Sequence, residues 1–254
     1  MIVRKYKNFD DMFYKFNKEL LTNTGEMLVR TNGFLGYMET LLIGCRSWEF
    51  NLDLGILGYK KNKWGHLLRT YIDYDKLLKF RKDIQETSGM SYTFNFNQKE
   101  INNGSCLLAI VLTRGISRGP WKRVHVMYRT TETQRRMAAD LALVQAFINE
   151  LPQDICEIDG VVFHMAQAYC SAMVINGYLE YFDVPLEDMP DHPWIASLKK
   201  NRELYFQPGS RISTYQSQAR MQKLALGMLE TENVPAKSLS IDEWFLKRRK
   251  KNAN

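Results

Sequence analysis

Apolar residues recur at helical spacing from Asp10 to Leu21, with Met12, Phe13, Phe16 and Leu20 on one side and Asp10 or Asp11 placed to cap the start. Asn23-Thr24-Gly25 ends that helix, and a second apolar stretch runs from Gly36 to Ile43. Lys63 to Tyr71 predicts a helix with Trp64, Leu67, Leu68 and Tyr71 on one face, and Tyr74 to Ile84 predicts another. The period then changes to two. Ser91 to Asn97 alternates and is aromatic-rich, which predicts a strand, and Asn102-Asn103-Gly104 predicts a turn. Cys106 to Thr113 and Arg123 to Arg129 predict two strands joined by the glycine- and proline-rich loop Arg114 to Pro120. Thr133 to Leu151 predicts an amphipathic helix, with Arg135, Arg136, Ala139, Leu143 and Phe147 making the pattern.

Beyond it, Asp159-Gly160 predicts a turn, Val161 to Tyr169 a strand, Ala172 to Phe182 a helix, Pro185 to Pro193 a loop and Arg211 to Glu230 a helix. From Ser238 onward the pattern predicts a tail with one apolar anchor, Trp244-Phe245-Leu246. No repeat or low-complexity linker divides the chain. The expectation is a single mixed α/β (α+β) domain over residues 1–246 and a basic tail over 247–254.

A chain of 254 residues with 45% hydrophobic content can bury a real core. No apolar run approaches the roughly 18 residues of a membrane span, and Met1-Ile-Val-Arg-Lys-Tyr-Lys7 lacks the apolar centre of a secretory signal. Cys45, Cys106, Cys156 and Cys170 share no CxxC or Cys/His ligand spacing, so free thiols in a reduced cytoplasm are expected and zinc is not. The net charge of +7 changes the picture more. Lys247-Arg248-Arg249-Lys250-Lys251 stands next to the final Asn252-Ala253-Asn254, and Arg114, Arg118, Lys122, Arg123, Arg129, Arg135 and Arg136 crowd one stretch. Such a run reads either as a solvated tail or as an electrostatic hold on a phosphate backbone. The second reading makes Arg114, Arg118, Lys122, Arg123, Arg135 and Arg136 candidate DNA contacts.

That stretch also carries the candidate chemistry. Cys106 opens an apolar strand, and the next strand ends in Arg129-Thr130-Thr131-Glu132, with Asp140 eight positions beyond Glu132. By itself a thiol at a strand start is usually a small buried hydrophobe. Next to guanidinium groups, the expectation is a lowered pKa and a better nucleophile. The order of these residues resembles the active-site spine of the thymidylate synthase superfamily. There a cysteine opens one strand, the next ends in Arg-Ser-x-Asp, and an Asn or Asp eight residues later reads the pyrimidine ring. The resemblance covers roughly Tyr92 to Leu143.

The resemblance implies a thymidylate synthase-like mixed β-sheet flanked by helices, and a homodimer. It implies Cys106 as nucleophile at ring C6, Arg129 and Thr130 as phosphate contacts, Glu132 for proton transfer or water, and Asp140 at the base edge. His164, Gln167 and Tyr169 supply the groups of the family's sugar-binding His-x-Tyr at another spacing. An aspartate at the ring-reading place suits cytosine as a carboxylate and a uracil-type ring as an acid. Trp48 or Trp64 would support a base that has left the stack.

The departures are informative. Met137-Ala138-Ala139 stands where the family has Leu-Pro-Phe, and Glu86 to Ser91 lacks the arginine pair that members acting on free nucleotides use. The folate motifs are also unrecognisable. Phage DNA-hypermodification homologues of the family, resembling amino acid:DNA transferases, show this combination. The expected function is therefore a transferase acting at C5 of a modified pyrimidine in DNA, with a small amine or amino-acid co-substrate, no cofactor, no metal and no membrane. A folate-dependent (methylenetetrahydrofolate) dCMP or dUMP hydroxymethylase or methyltransferase is the alternative, and a catalytically inert DNA-binding protein on the same scaffold is a third.

Overall fold

The structure, a computed structural model, describes residues 1–22, 28–30, 34–37, 40–97, 106–115, 119–134, 136–171, 182–189, 196, 200, 207–209, 211, 219, 222–223 and 226–253. Its strands are β1 (Ile2–Tyr6), β2 (Leu28–Arg30), β3 (Phe34–Tyr37), β4 (Leu41–Cys45), β5 (Ser91–Asn95), β6 (Leu107–Arg114), β7 (Trp121–Glu132) and β8 (Cys156–Ser171). The described α-helices are α1 (Phe9–Thr22), α2 (Asn62–Tyr71), α3 (Tyr74–Glu86), α4 (Arg136–Asn149) and α5 (Ile241–Ala253). One mixed sheet runs β1-β4-β8-β7-β6-β5, and β3, which carries β2, also pairs with β8. The β1–β4 and β7–β8 pairs are parallel, and the other pairs along the path are antiparallel. The fold is thus a mixed α/β domain, as the periodicity implies. Among the described residues no helix is long and apolar enough to cross a membrane.

Alternation decides which sheet face is covered. Ile110, Leu112, Val124, Val126, Val161, Phe163 and Met165 are fully buried. Their neighbours Val111, His125, Met127, Val162 and His164, on the other face, are only half-buried. Against the covered face, Phe9 of α1 meets Phe163 edge-on at 5.2 Å. Phe147 of α4 closes a cluster with Phe80, Phe94 and Phe96. Every residue of α4 from Met137 to Ile148 is buried. The expected amphipathic helix is instead a central one, apolar all round because it is enclosed on all sides.

The Asp159-Gly160 turn is not formed either. β8 continues through it with a register shift against β7, because Gly160 serves a close approach rather than a reversal. A Cβ there would lie 2.5 Å from Arg123 Nη1, and the bare backbone lets Arg123 pass over to Asp159, Nε to Oδ1 3.0 Å. The expected Ala172–Phe182 helix lies outside the described residues apart from Phe182, and so does most of Arg211–Glu230. Within the latter, the described positions 219, 222 and 223 are helical and residues 226–230 are not.

The expected tail is a docked helix. Ser240 Oγ accepts the Glu243 N–H at 3.2 Å as the N-cap of α5. Glu150, just past α4, accepts the Ser240 hydroxyl at 2.9 Å and the N–H groups of Ile241 and Asp242 at 2.8 and 3.3 Å. Arg81 joins the two, donating to Asp242 at 2.8 Å and to Glu150 at 3.1 Å. Phe245 stacks on Tyr74 at 4.7 Å, and Trp244 lies against Gly65. The basic run is thereby presented on a fixed helix, with Lys247 paired to Glu243 and Arg249 to Asp75.

Candidate active site

Cys106 sits one residue before β6, and its carbonyl accepts the Arg129 N–H at 2.9 Å, which extends the β6–β7 ladder by one bond. β7 then delivers Tyr128, Arg129, Thr130 and Glu132 in succession and turns into α4, whose first residue is Arg136. One helical turn later Asp140 lies buried behind the strand end. The Arg136 guanidinium lies beside the Cys106 thiol, close enough for its charge to favour the thiolate. The Tyr71 hydroxyl, from the last residue of α2, lies beside the Asp140 carboxyl. Tyr169 of β8 lies opposite Glu132 in register, within the field of Arg136 and Cys106. Gln167 lies opposite Thr130.

Burial raises the Cys106 thiol above its ordinary value, and the Asp140 charge adds to this, while Arg136 and Arg129 oppose it. The expected depression is therefore not found: two guanidiniums do not outweigh the loss of water and a carboxylate behind the sulfur. Asp140 is pushed up to about 7, first by burial and against the Tyr71 hydroxyl and the Arg136 charge. The thiol rests protonated beside a carboxyl that changes charge near neutral pH. That is the range in which a group takes and returns a proton efficiently.

Glu132 is committed elsewhere. Its Oε1 accepts the Gln134 N–H and its Oε2 the Arg136 N–H, both at 3.2 Å. It holds the turn into α4, whose first N–H groups have no helical partner. It thereby fixes Arg136 against the thiol, so its observed contacts are those of a positioning residue.

Other expected residues fall away from this cluster. His164 lies on the half-exposed sheet face, where its Nε2 is 3.1 Å from His125 Nδ1. It is five positions from Tyr169 in one strand, which puts the two on opposite faces. Arg114 stacks on Trp121 at 4.3 Å and donates to the carbonyls of Gly119 at 2.9 Å and Thr87 at 3.0 Å, so it pins a loop. Lys122 pairs with Glu157 and Arg123 with Asp159 across β7–β8. Arg118 and Arg135 lie outside the described residues. Trp48 donates to Asn149 at the far end of α4, and buried Trp64 sits in the first turn of α2.

Sequence reasoning missed Tyr71 and Tyr128. Tyr71 was legible only as part of an apolar helix face, and Tyr128 only as the residue before Arg129. Among the described residues no group of three or more His, Cys, Asp or Glu is placed to hold a metal ion. No protein-family model and no curated protein matches the chain.

Proposed function

We propose that the protein is a thymidylate synthase-like transferase that modifies C5 of a pyrimidine nucleotide in DNA. The observation that carries this reading is the thiol of Cys106, set between the charges of Arg136 and Asp140, whose carboxyl is poised near neutral pH. Asp140 as carboxylate takes the thiol proton while the sulfur adds to ring C6. The C5=C6 electron pair moves toward the C4 substituent, where the Asp140 acid now donates a hydrogen bond. A leaving group on the C5 methylene then departs with its electron pair. An amine or amino acid adds to the exocyclic carbon and loses its proton to solvent, and elimination of Cys106 restores the ring. Arg129 and Thr130 flank the thiol as contacts for the nucleotide phosphate.

A polymeric substrate is supported by the net charge of +7 and by the basic run held on the surface of α5. The resemblance adds a homodimer and a phage DNA-hypermodification role to this reading.

The test is covalent capture. Single-stranded oligodeoxynucleotides carrying one 5-fluoropyrimidine should form an adduct at Cys106, visible by mass spectrometry. Cys106→Ser should form none. Capture of 5-fluoropyrimidine mononucleotides alone would shift the reading to a folate-dependent nucleotide enzyme. Absence of any adduct, or its persistence in Cys106→Ala, would overturn thiol catalysis.

A further inference from the structure

Buried polar atoms without a partner concentrate at one place in this fold. Among the described residues there are eight such side-chain atoms, and five of them belong to Tyr128, Thr131, Thr133, Gln134 and Asp140. All five lie in the stretch from the last part of β7 through the turn into the first part of α4. A buried hydroxyl or carboxyl oxygen left unpaired is costly, so a local excess marks a place where another molecule completes the hydrogen bonds. Two of the five side chains are coupled to Cys106 directly. Asp140 is 2% exposed, and its Oδ2 is unpartnered, with the Tyr71 hydroxyl beside the carboxyl. Tyr128 is 3% exposed, its Oη is unpartnered, and it lies in the electrostatic field of Asp140, Tyr71 and Cys106.

Resting on the function proposed above, we infer that Tyr128 is a second ring-reading residue: its hydroxyl and the unpartnered Asp140 oxygen take adjacent polar atoms on the pairing edge of the base, with Tyr71 beside the Asp140 carboxyl. Burial keeps the Tyr128 hydroxyl protonated at all working pH values, so it serves as a steady donor. Asp140 supplies the acceptor. An adjacent acceptor and donor are what a pyrimidine offers between positions 3 and 4, as O4 with N3–H in the 4-oxo ring or N3 with the 4-amino group in cytosine. Reading that edge requires the base to be unpaired, so the substrate is a single strand or a base turned out of a duplex.

The experiment uses Cys106→Ser protein, which separates recognition from chemistry, and single-stranded oligodeoxynucleotides bearing deoxyuridine, deoxycytidine or an abasic site at one central position. Fluorescence anisotropy should show tighter binding to one pyrimidine than to the abasic strand. Tyr128→Phe, added to that protein, should reduce the preference about tenfold, the scale of one buried hydrogen bond. Affinity for the abasic strand and the thermal midpoint should stay unchanged, which a merely structural hydroxyl would not separate. Tyr71→Phe should weaken the preference less, because it loosens Asp140 without removing a contact. The pyrimidine preferred identifies the ring as 4-oxo or 4-amino. A preference intact in Tyr128→Phe overturns this inference and leaves the proposed function standing. Equal binding of all three strands before any change at Tyr128 overturns base recognition itself, and with it both readings.

Discussion

Replacing Asp140 with asparagine removes the ionisation and keeps the shape, so the stability difference from the parent protein isolates one titration. Asp140 is 2% exposed, and its carboxyl is pushed from 3.8 to about 7, mainly by burial. Between those values the folded protein holds a proton that the unfolded chain has released. Stability from the neutral acid is therefore complete below pH 3.8 and is lost as pH rises toward 7. About three pKa units at 1.36 kcal/mol each set a ceiling of about 4 kcal/mol. Asparagine pays none of this. Urea unfolding of both proteins at several pH values between 4.5 and 8 should show Asp140→Asn gaining on the parent as pH rises, by a few kcal/mol in all. A constant offset from the new amide is immaterial, since the pH dependence of the difference is what counts. A difference that does not change with pH would refute the buried, proton-holding Asp140. The same substitution should also remove the rise in the Cys106 adduct rate near pH 7, which marks Asp140 as the acceptor of the thiol proton.

Cys106→Ser should abolish adduct formation and shift the thermal midpoint by no more than about 2 °C, because a hydroxyl is a poor nucleophile of nearly the same size. Glu132→Ala should cost about 1–2 kcal/mol in chemical unfolding by stripping two N–H groups at the start of α4, and Glu132→Gln should cost less; equal stability of all three proteins would remove its positioning role. Changing Lys247, Arg248, Lys250 and Lys251 together to alanine should weaken DNA binding and flatten its salt dependence by about one unit of slope per lost phosphate contact. Arg249 is spared because it covers Tyr74, and an unchanged slope would show α5 to be inert in binding. His125 and His164 are both held below 6.5 by burial, so folding disfavours their charged forms and stability should fall as pH drops through that value. His164→Gln should reduce this acid sensitivity in urea unfolding, and an unaltered pH dependence would count against it.

Local pattern decided much of this protein. Periodicity alone located α1, α2, α3, β5, β6 and β7, because apolar spacing and turn residues act over a few positions. The linear order of Cys106, Arg129, Glu132 and Asp140 also survived into space, since a hairpin and a helix start bring such neighbours together whatever the rest of the fold does. Long-range partners decided what could not be read. Gly160 signals a turn until Arg123 is known to cross it, and α4 looks one-sided until the sheet, α1 and the loops enclose it. The Ser240-x-x-Glu243 cap was in the sequence, but only Glu150, Arg81 and Tyr74 make a docked helix of what reads as a tail. The pKa values are tertiary too. An arginine beside a cysteine predicts a thiolate. Burial, and an aspartate brought close by the fold, make it a thiol, because desolvation depends on everything that excludes water and no stretch of sequence encodes it alone.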